Sequence, residues 1–332
     1  MTILVTGAAG FIGYSVSNRL LARGEQIIGI DDLNDYYPVS LKQDRLAALE
    51  QTHGQAFEFV KVDFADTEAL ASAIDGKGVD SIIHLGAQAG VRYSLHNPHA
   101  YVRSNLVGHL NILEAARHLG VRHLVYASSS SVYGGNMKLP FSVEDRVDRP
   151  LSLYAATKRS DELMSEAYAN LYRIPQTGLR FFTVYGPWGR PDMAMWIFTK
   201  AILAGQPVML FNEGDMRRDF TFIDDIVSGV IACLDNPPAD DGQAKAGGST
   251  SPHRLYNIGN HKSEELGRMV SLIEQACGRE AIVELHPLQP GDVTDTFADI
   301  DPIRADLGFQ PTTPIDEGIP KFVEWYRRYH NV

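Results

Sequence analysis

The chain has 332 residues, of which 44% are hydrophobic and 21% are charged, and it carries a formal net charge of −11 at pH 7. This length and composition are typical of globular protein and suffice for one large domain or two smaller ones that share a core. The negative charge argues against general binding to nucleic acid or anionic membranes, because both need a positive surface. No apolar stretch reaches the roughly 18 residues of a membrane span. The first predicted strand begins at Thr2, so we expect no signal peptide and a cytoplasmic location.

A glycine-rich turn follows the first predicted strand, with the sequence Thr6-Gly7-Ala8-Ala9-Gly10-Phe11-Ile12-Gly13. Gly7 permits a tight turn, Gly10 lets backbone amides approach a pyrophosphate, and Gly13 allows the next helix to pack closely on the strand. The N-terminus of that helix then faces the phosphates. Glycines recur in turns by chance, but here a helix, a second strand and an acidic pair follow in order. The pattern therefore predicts a nicotinamide dinucleotide pocket.

The second predicted strand, residues 26–30, ends at Asp31 and Asp32. A carboxylate at this place accepts hydrogen bonds from the adenosine ribose diol and repels a 2'-phosphate, which favours NAD over NADP. Asp31 is the better candidate by spacing, and Asp32 is expected to cap the following loop.

Strand-like runs at residues 57–62, 80–84, 123–127 and 177–182 alternate with helical stretches. This alternation predicts an α/β fold with a doubly wound parallel sheet of the Rossmann type. Ligands bind beyond the carboxyl ends of such strands. We therefore expect Asp63 and Phe64 beside an adenine, and Leu85, Gly86, Ala87 and Asn105 along the rest of the dinucleotide.

The regular alternation of strands and helices ends at about Phe182. Helices are predicted beyond this point near residues 193–204, 224–234, 263–277 and 315–329. We predict a dinucleotide-binding domain over residues 1–180, to which segments near 219–258 return. A smaller mixed α/β substrate domain covers most of 181–332. Residues 236–253 are rich in Pro, Gly, Ser, Asp and Ala and are expected to form a flexible loop. The two cysteines, Cys233 and Cys277, are interpreted as buried free thiols.

The chemistry-bearing residues follow the fifth strand. Ser128-Ser129-Ser130-Ser131 places hydroxyls at its carboxyl end, and Tyr154 and Lys158 lie four apart on one face of a predicted helix. A phenol is a poor base at neutral pH, but a nearby ammonium and a cationic nicotinamide ring both favour the phenolate. Tyrosine and lysine also meet on many helices as an ordinary surface pair. The serine-rich strand end and the dinucleotide pattern favour a proton shuttle.

The glycine pattern together with Ser129, Tyr154 and Lys158 resembles the extended short-chain dehydrogenase/reductase family of NAD-dependent nucleotide-sugar epimerases and dehydratases. The resemblance covers essentially the whole chain. Three segments, at residues 32–37, 179–193 and 218–225, resemble the UDP-glucuronate 4-epimerases most closely.

The resemblance implies that NAD is a resident cofactor and that the sugar is transiently oxidised at C4, turns in the pocket and is reduced on its opposite face, with its carboxylate retained. Tyr154 would accept the proton of the 4-hydroxyl, Lys158 would stabilise the phenolate and hold the nicotinamide ribose, and Ser129 would hydrogen-bond the oxygen that becomes a carbonyl. The expected cofactor-binding residues are Gly7, Gly10, Phe11, Ile12, Gly13, Asp31, Asp32, Asn34, Asp63, Phe64, Leu85, Gly86, Ala87, Asn105, Tyr154 and Lys158.

The expected substrate is a UDP-sugar, bound by Ser129, Ser130, Thr183, Arg190, Arg218 and Asp292. Arg218 resembles the family's diphosphate contact and Asp292 its uridine ribose contact. Arg190 is assigned to the sugar carboxylate because a guanidinium binds a carboxylate through two parallel hydrogen bonds. The alternative for Arg190 is a loop arginine in solvent, and the roles of Arg92 and Arg217 stay open.

Related activities are the nearest alternatives. A 4,6-dehydratase usually carries an Asp-Glu pair where this chain has Ser130-Ser131, so dehydration is disfavoured. A UDP-glucuronate decarboxylase shares the Tyr/Lys pair, and only residues 183–193 argue against it. A UDP-glucose 4-epimerase differs mainly in needing no carboxylate clamp, and a catalytically silent NAD-binding regulator would be expected to lack Ser129, Tyr154 or Lys158.

No metal site is expected. His96 and His99 resemble a metal pair, but Pro98 marks the entry to a helix and no third ligand is evident. The long helices predicted at 97–118 and 152–172 form a dimer interface in the family, so the resemblance implies a homodimer.

Overall fold

The computed structural model describes residues 1–289 and 293–332. Its strands are β1 (Thr2–Thr6), β2 (Gln26–Asp31), β3 (Phe57–Lys61), β4 (Ser81–His84), β5 (His123–Ser129), β6 (Gln176–Phe181), β7 (Thr183–Tyr185), β8 (Pro207–Phe211), β9 (Arg217–Phe222), β10 (His253–Ile258), β11 (Ser263–Glu265) and β12 (Ile282–His286). Its helices are α1 (Phe11–Ala22), α2 (Val39–His53), α3 (Thr67–Ile74), α4 (Pro98–Tyr101), α5 (Gly108–Leu119), α6 (Leu153–Tyr172), α7 (Ala194–Ala204), α8 (Ile223–Asp235), α9 (Leu266–Cys277), α10 (Asp301–Leu307) and α11 (Ile315–His330).

Seven strands form one parallel sheet in the order β10-β6-β5-β4-β1-β2-β3. The strand order reverses between β1 and β4, and ligands of open α/β sheets bind in the crevice that such a reversal leaves at the carboxyl ends. The central strands are apolar and buried along nearly their whole length, because helices cover both faces of the sheet. The predicted Rossmann-type parallel sheet is confirmed, and each predicted strand agrees with an observed strand to within two residues.

Two predicted helices differ from the observed ones. The stretch at 97–118 is α4, a π-helical segment (Val102–Val107) and α5 in succession, instead of one regular helix. Such π segments occur where an extra residue is accommodated, often near functional sites. The helix predicted at 263–277 starts at Leu266, because Ser263–Glu265 pairs with β9 as an antiparallel strand.

The remaining strands form two small sheets after Phe182. One contains β11, β9 and β7, and the other pairs β12 with β8. Helix α11 buries Ile315, Ile319, Phe322 and Tyr326, whose spacing places them on one helical face. β10 lies in the large sheet beside β6 although it comes late in the chain. The division into two domains stays a prediction.

Arg45 connects the glycine-rich turn to the later part of the chain. Its guanidinium is fully buried and donates hydrogen bonds to the backbone oxygens of Ala9 at 2.9 Å, Trp188 at 2.6 Å and Gly189 at 3.1 Å. A buried cation of this kind is stable only while its acceptors stay in place. The contact therefore fixes the loop at 187–189 against the dinucleotide turn.

The segment predicted to be flexible, residues 236–253, makes several contacts with the rest of the chain. Asp240 pairs with Arg173, and the backbone N–H of Gly247 donates to Glu144 Oε1 at 2.9 Å. Its flexibility stays a prediction. The prediction of buried free thiols is confirmed for both cysteines, and none of the helices in the described residues is long and apolar enough to cross a bilayer.

Gly13 provides a test of the predicted close approach of α1 to β1. A Cβ at this position would lie 2.0 Å from the backbone oxygen of Gly7, so Gly13→Ala must push the helix away from the turn. We expect this variant to lose roughly 3 kcal/mol or more in free energy of unfolding. Urea denaturation of the purified variant measures the loss. Gly267→Ala is the matched control, because nothing lies within 4 Å of its added Cβ, and its effect is expected to stay within about 0.5 kcal/mol; similar losses in both variants would contradict the argument.

Candidate active site

A cavity of about 900 Å³ lies at the carboxyl ends of the parallel strands and extends to the small sheets. It brings together most of the residues that the sequence singled out. The predicted site residues that line it are Gly7, Gly10, Phe11, Ile12, Gly13, Asp31, Asp32, Asn34, Phe64, Leu85, Gly86, Ala87, Ser129, Ser130, Tyr154, Lys158, Thr183, Arg190 and Arg218.

The glycine-rich turn forms one end of this cavity. Gly7 has a φ of +67°, which favours glycine, and its backbone oxygen accepts a hydrogen bond from the N–H of Gly10 at 2.8 Å. A Cβ on Gly7 would lie 2.8 Å from the backbone nitrogen of Gly86, and a Cβ on Gly86 would lie 2.6 Å from the Phe64 ring. The absence of side chains therefore leaves a cradle beside the N-terminus of α1, which suits a pyrophosphate.

Asp31 lies at the end of β2, as predicted, and its carboxylate is buried. Oδ1 accepts a hydrogen bond from the Leu33 N–H at 2.9 Å, and Lys42 Nζ lies 3.6 Å away. Burial raises the pKa of Asp31, and the positive charge of Lys42 opposes that rise. Asp32 accepts hydrogen bonds from the backbone and side chain of Asn34, which agrees with the expected capping role.

Lys158 carries a buried charge beside the proposed reaction centre, with its side chain 2% exposed. Its ammonium donates to the backbone oxygen of Ala127 at 2.9 Å and to Asp161 Oδ2 at 3.0 Å. Burial raises the pKa of Asp161 to about 6, although Lys158 pulls in the opposite direction. The contact with Ala127 holds the first turns of α6 against the end of β5, and the pair with Asp161 lies within the helix.

Tyr154 lies one turn before Lys158, at the start of α6. Ser152 caps this helix by accepting the Ala155 N–H at 3.1 Å, which fixes the direction in which the helix begins. The Tyr154 ring meets the Tyr101 ring edge to face, with centroids 6.0 Å apart. Ring packing and capping therefore restrict the position of the phenol in the cavity.

The hydroxyl of Ser129 lies at the end of β5. Its Oγ donates to Ser131 Oγ at 3.1 Å and accepts the Ser131 N–H at 3.2 Å. The neighbouring Ser128 points to the other face and donates to Glu162 Oε1 at 2.6 Å. Of this serine run, Ser128 therefore has a structural partner in α6, whereas Ser129 stays in a local turn at the cavity.

Glu162 and Arg180 form a buried ion pair behind the site. The guanidinium donates from Nε at 2.8 Å and from Nη2 at 2.9 Å to the two carboxylate oxygens. Burial would raise the pKa of Glu162, but Arg180 together with hydrogen bonds from Ser128 and Arg159 holds the pKa below its usual value. The pair fixes α6 to β6, and because both partners are buried, removal of either would leave an uncompensated charge.

Arg190 lies on the cavity wall in the loop before α7, where it is paired with Asp192. Nε donates to Oδ1 at 3.0 Å and Nη2 to Oδ2 at 2.5 Å. Burial alone would lower the pKa of Arg190 and raise that of Asp192, but their mutual attraction reverses both shifts. Both groups are therefore charged, and the structure does not place Arg190 as an unpartnered arginine in solvent.

The other arginines differ in their surroundings. Arg218 lines the cavity and donates to the backbone oxygens of Val293 at 2.5 Å and Thr294 at 3.0 Å. Arg92 lines the cavity as well, with its guanidinium 4.4 Å from the centroid of the Phe211 ring. Arg217 contacts Glu265 at the surface. Asp292 lies outside the described residues.

Two predicted cofactor residues do not line the cavity. Asp63 accepts hydrogen bonds from Arg103 and from the Ala65 N–H at the surface. Asn105 is buried, and its side chain binds the backbone of Gln88, accepting from N–H at 2.9 Å and donating to the oxygen at 3.1 Å. Asn105 thereby positions a cavity residue, and direct contacts of Asp63 and Asn105 with a cofactor stay predictions.

Lys42, Tyr36 and Asp192 line the cavity although the sequence predicted no role for them. Tyr36 and Asp192 lie within the segments 32–37 and 179–193 that resemble the UDP-glucuronate 4-epimerases, whereas Lys42 lies outside these segments. Asp192 lies two residues after Arg190, a spacing that permits a local ion pair, so this pair could have been predicted from the sequence. Within the residues that the structure describes, no group of three His, Cys, Asp or Glu side chains is arranged to hold a metal ion.

Comparison with known proteins agrees with this geometry. A probable UDP-glucuronate 4-epimerase of Rhizobium meliloti is 46% identical over 340 residues, covering 99% of each chain. UDP-glucuronate 4-epimerase 4 of Arabidopsis thaliana is 44% identical and matches 100% of this chain and 76% of its own. The crystal structure of UDP-glucuronic acid 4-epimerase from Bacillus cereus in complex with UDP-glucuronic acid and NAD superimposes with a TM-score of 0.89 and 33% identity, covering 99% of this chain and 100% of that one.

The model of the family described as "NAD dependent epimerase/dehydratase family" matches residues 3–259. This range includes the glycine-rich turn, the serine-rich strand end and the Tyr/Lys pair. The chain therefore belongs to the NAD-dependent epimerase/dehydratase family.

Proposed function

We propose that this protein is a UDP-glucuronate 4-epimerase, which interconverts UDP-glucuronate and UDP-galacturonate. The observation that carries the proposal is one cavity lined by Ser129, Tyr154 and Lys158 together with a glycine cradle and Arg190. Full-length similarity to proteins named UDP-glucuronate 4-epimerase supports the same activity. The cavity thus offers a dinucleotide site, a proton acceptor and a cation for the sugar carboxylate.

The residues at the end of the cavity formed by the glycine-rich turn fit NAD. The cradle at Gly7 and Gly86 has no room for side chains, and Asp31 presents a buried carboxylate where the adenosine ribose is expected. NAD bound there would supply the hydride acceptor and donor for C4 of the sugar. Lys42 beside Asp31 offsets the buried negative charge before the ribose binds.

Tyr154 acts as the base that receives the proton of the sugar 4-hydroxyl, and it returns the same proton after the sugar has turned over. Lys158, four residues later on α6, brings its buried ammonium to the same cavity. Ser129 at the end of β5 donates a hydrogen bond to the sugar oxygen while that oxygen is a carbonyl. All three residues belong to rigid elements, which keeps the reacting oxygen in register.

Arg190 holds the sugar carboxylate. Oxidation of a glucuronate at C4 gives a β-keto acid, which loses carbon dioxide when the bond to the carboxylate aligns with the carbonyl π system. A guanidinium that binds the carboxylate in another orientation slows this loss. Ser130 and Thr183 also line the cavity and are proposed substrate contacts, as are Arg218 for the diphosphate and, by resemblance alone, Asp292 for the uridine ribose.

The close alternatives differ in the fate of this carboxylate. A decarboxylase would release UDP-xylose from the same Tyr/Lys site, and a UDP-glucose 4-epimerase would have no use for the Arg190 contact. A silent NAD-binding regulator would leave every UDP-sugar unchanged. The products formed from UDP-glucuronate separate the 4-epimerase from the decarboxylase. Conversion of UDP-glucose then separates a UDP-glucose 4-epimerase from a silent regulator.

We also propose that the protein is a homodimer. Apolar side chains on α6 stay exposed, among them Leu163 at 55% and Leu171 at 66%. Val107, before α5, is exposed as well. Apolar residues in this number on two adjacent helical segments are typical of a surface that a second copy covers.

The first prediction concerns turnover. The purified protein, without added NAD, is expected to convert UDP-glucuronate to UDP-galacturonate, as followed by proton NMR. Tyr154→Phe removes the base and should lower kcat by about 10²–10⁴-fold. Tyr329→Phe is the control, because its hydroxyl contacts Asp44 away from the cavity. Wild-type activity in the Tyr154→Phe variant would rule out the role assigned to Tyr154. UDP-xylose as the main product of the wild-type protein would identify a decarboxylase.

The second prediction concerns product choice. Arg190→Ala should raise the amount of UDP-pentose relative to C4 epimer by about tenfold, because the β-keto acid loses the group that fixes its carboxylate. Chromatographic separation of the nucleotide sugars measures the ratio. Arg146→Ala removes an exposed arginine that is also paired with an aspartate two residues later, and it should leave the ratio at the wild-type value. An unchanged ratio in Arg190→Ala would count against the carboxylate clamp.

The third prediction concerns assembly. Leu163→Glu combined with Leu171→Glu places two charges in the proposed interface and should shift the protein from dimer to monomer in sedimentation velocity. Leu285→Glu on β12 makes the same change at a residue of equal exposure, 55%, and should leave the dimer intact. A wild-type monomer, or a dimer in the double variant, would refute the proposed interface.

A further inference from the structure

Asp192 occupies one edge of the Arg190 guanidinium. The two hydrogen bonds between them use Nε and Nη2, at 3.0 Å and 2.5 Å. A guanidinium carries five N–H donors in a fixed, planar fork, so a carboxylate on the Nε edge leaves the edge between Nη1 and Nη2 for a second acceptor. Arg190 can therefore bind Asp192 and a sugar carboxylate at the same time, and Asp192 decides which edge is left for the sugar.

A tyrosine from another loop of the cavity also binds Asp192. The Tyr36 hydroxyl, in the loop after β2, donates to Asp192 Oδ2 at 3.0 Å. The Tyr36 ring packs on Tyr93, with centroids 4.8 Å apart. Burial and the Asp192 carboxylate raise the pKa of Tyr36 to about 12, so its hydroxyl stays protonated and remains a donor. The Tyr36 hydroxyl thus gives the Asp192 carboxylate a second anchor, and it lies close to Arg190 as well.

The pair also sets the charge that the cavity presents to a sugar. The Arg190 side chain is 24% exposed and that of Asp192 is 29% exposed, so water compensates each charge only in part. Without Asp192, Arg190 would be a largely buried cation that needs an anion from the ligand. With Asp192 in place, the cation is already neutralised, and a sugar without a carboxylate meets no uncompensated charge.

We propose that Asp192 is a specificity-determining residue, the resident counter-ion of Arg190, and that it limits how strongly the cavity prefers an acidic sugar over a neutral one. The inference rests on the proposed function for the assignment of Arg190 to the sugar carboxylate. Removing the charge of Asp192 makes the sugar carboxylate the only counter-ion of Arg190. The preference for UDP-glucuronate over UDP-glucose then rises, because the neutral sugar leaves the arginine unpaired.

The test compares dissociation constants of UDP-glucuronate and UDP-glucose by calorimetry, in the Tyr154→Phe background so that turnover does not mix the epimers. Asp192→Asn should raise the ratio of the UDP-glucose constant to the UDP-glucuronate constant at least about tenfold. Asp148→Asn removes the same charge from the exposed Arg146–Asp148 pair, which has the same spacing, and should leave the ratio unchanged. A ratio in Asp192→Asn that stays constant or falls overturns the proposal.

A double variant covers the case in which Asp192→Asn does not fold. Arg190→Gln with Asp192→Asn removes the pair without a change in net charge. The ratio of the UDP-glucose dissociation constant to the UDP-glucuronate dissociation constant should then fall toward one. A double variant that keeps the wild-type ratio overturns the proposal as well. The proposed function is tested by a different experiment, the formation of UDP-galacturonate by the wild-type protein. The ratio of dissociation constants is measured without turnover, so the two proposals can fail independently.

Discussion

The buried ammonium of Lys158 is the constraint on which the geometry of the site depends. A charge that is 2% exposed must be paired or hydrogen-bonded inside the protein. The backbone oxygen of Ala127 and the carboxylate of Asp161 meet this need, one from the end of β5 and one from α6 itself. The helix is thereby fixed to the strand end, and Tyr154, one turn earlier, lies at the cavity as a result.

A second buried pair extends the same principle to the neighbouring strand. Glu162 follows Asp161 on α6 and binds Arg180 of β6 and the hydroxyl of Ser128. The helix that carries the base is thus joined to two strands by charged groups from which water is excluded. Such networks stabilise a structure only when every member has a partner, and they favour one arrangement over others. A rigid frame of this kind suits a reaction in which the sugar turns and the protein does not.

The charges of the cavity wall occur in compensated pairs. Lys42 accompanies Asp31, Asp161 accompanies Lys158, and Asp192 accompanies Arg190. Lys158 and Arg190, which are assigned to the cofactor and to the sugar, therefore each have a protein anion beside them, which limits the cost of burying the cation. Because each of these cations is already paired, a charged group of the ligand gains less binding free energy from it. The selectivity for ligands then depends on which edge of the cation faces the ligand.

Strand periodicity and glycine spacing are local signals, and they predicted the glycine cradle and six of the seven strands of the parallel sheet to within two residues, whereas β10 was not predicted. It also identified Ser129, Tyr154 and Lys158, whose positions follow from the end of one strand and one helical turn. Other contacts of the site follow from the fold: Tyr36 binds Asp192, Lys42 lies beside Asp31, and Arg45 binds the backbone of 188–189. These contacts join residues from 11 to 156 positions apart, and no local pattern specifies such pairs. The interruption of the helix near Asn105 likewise depends on packing, because its side chain binds Gln88 in another loop.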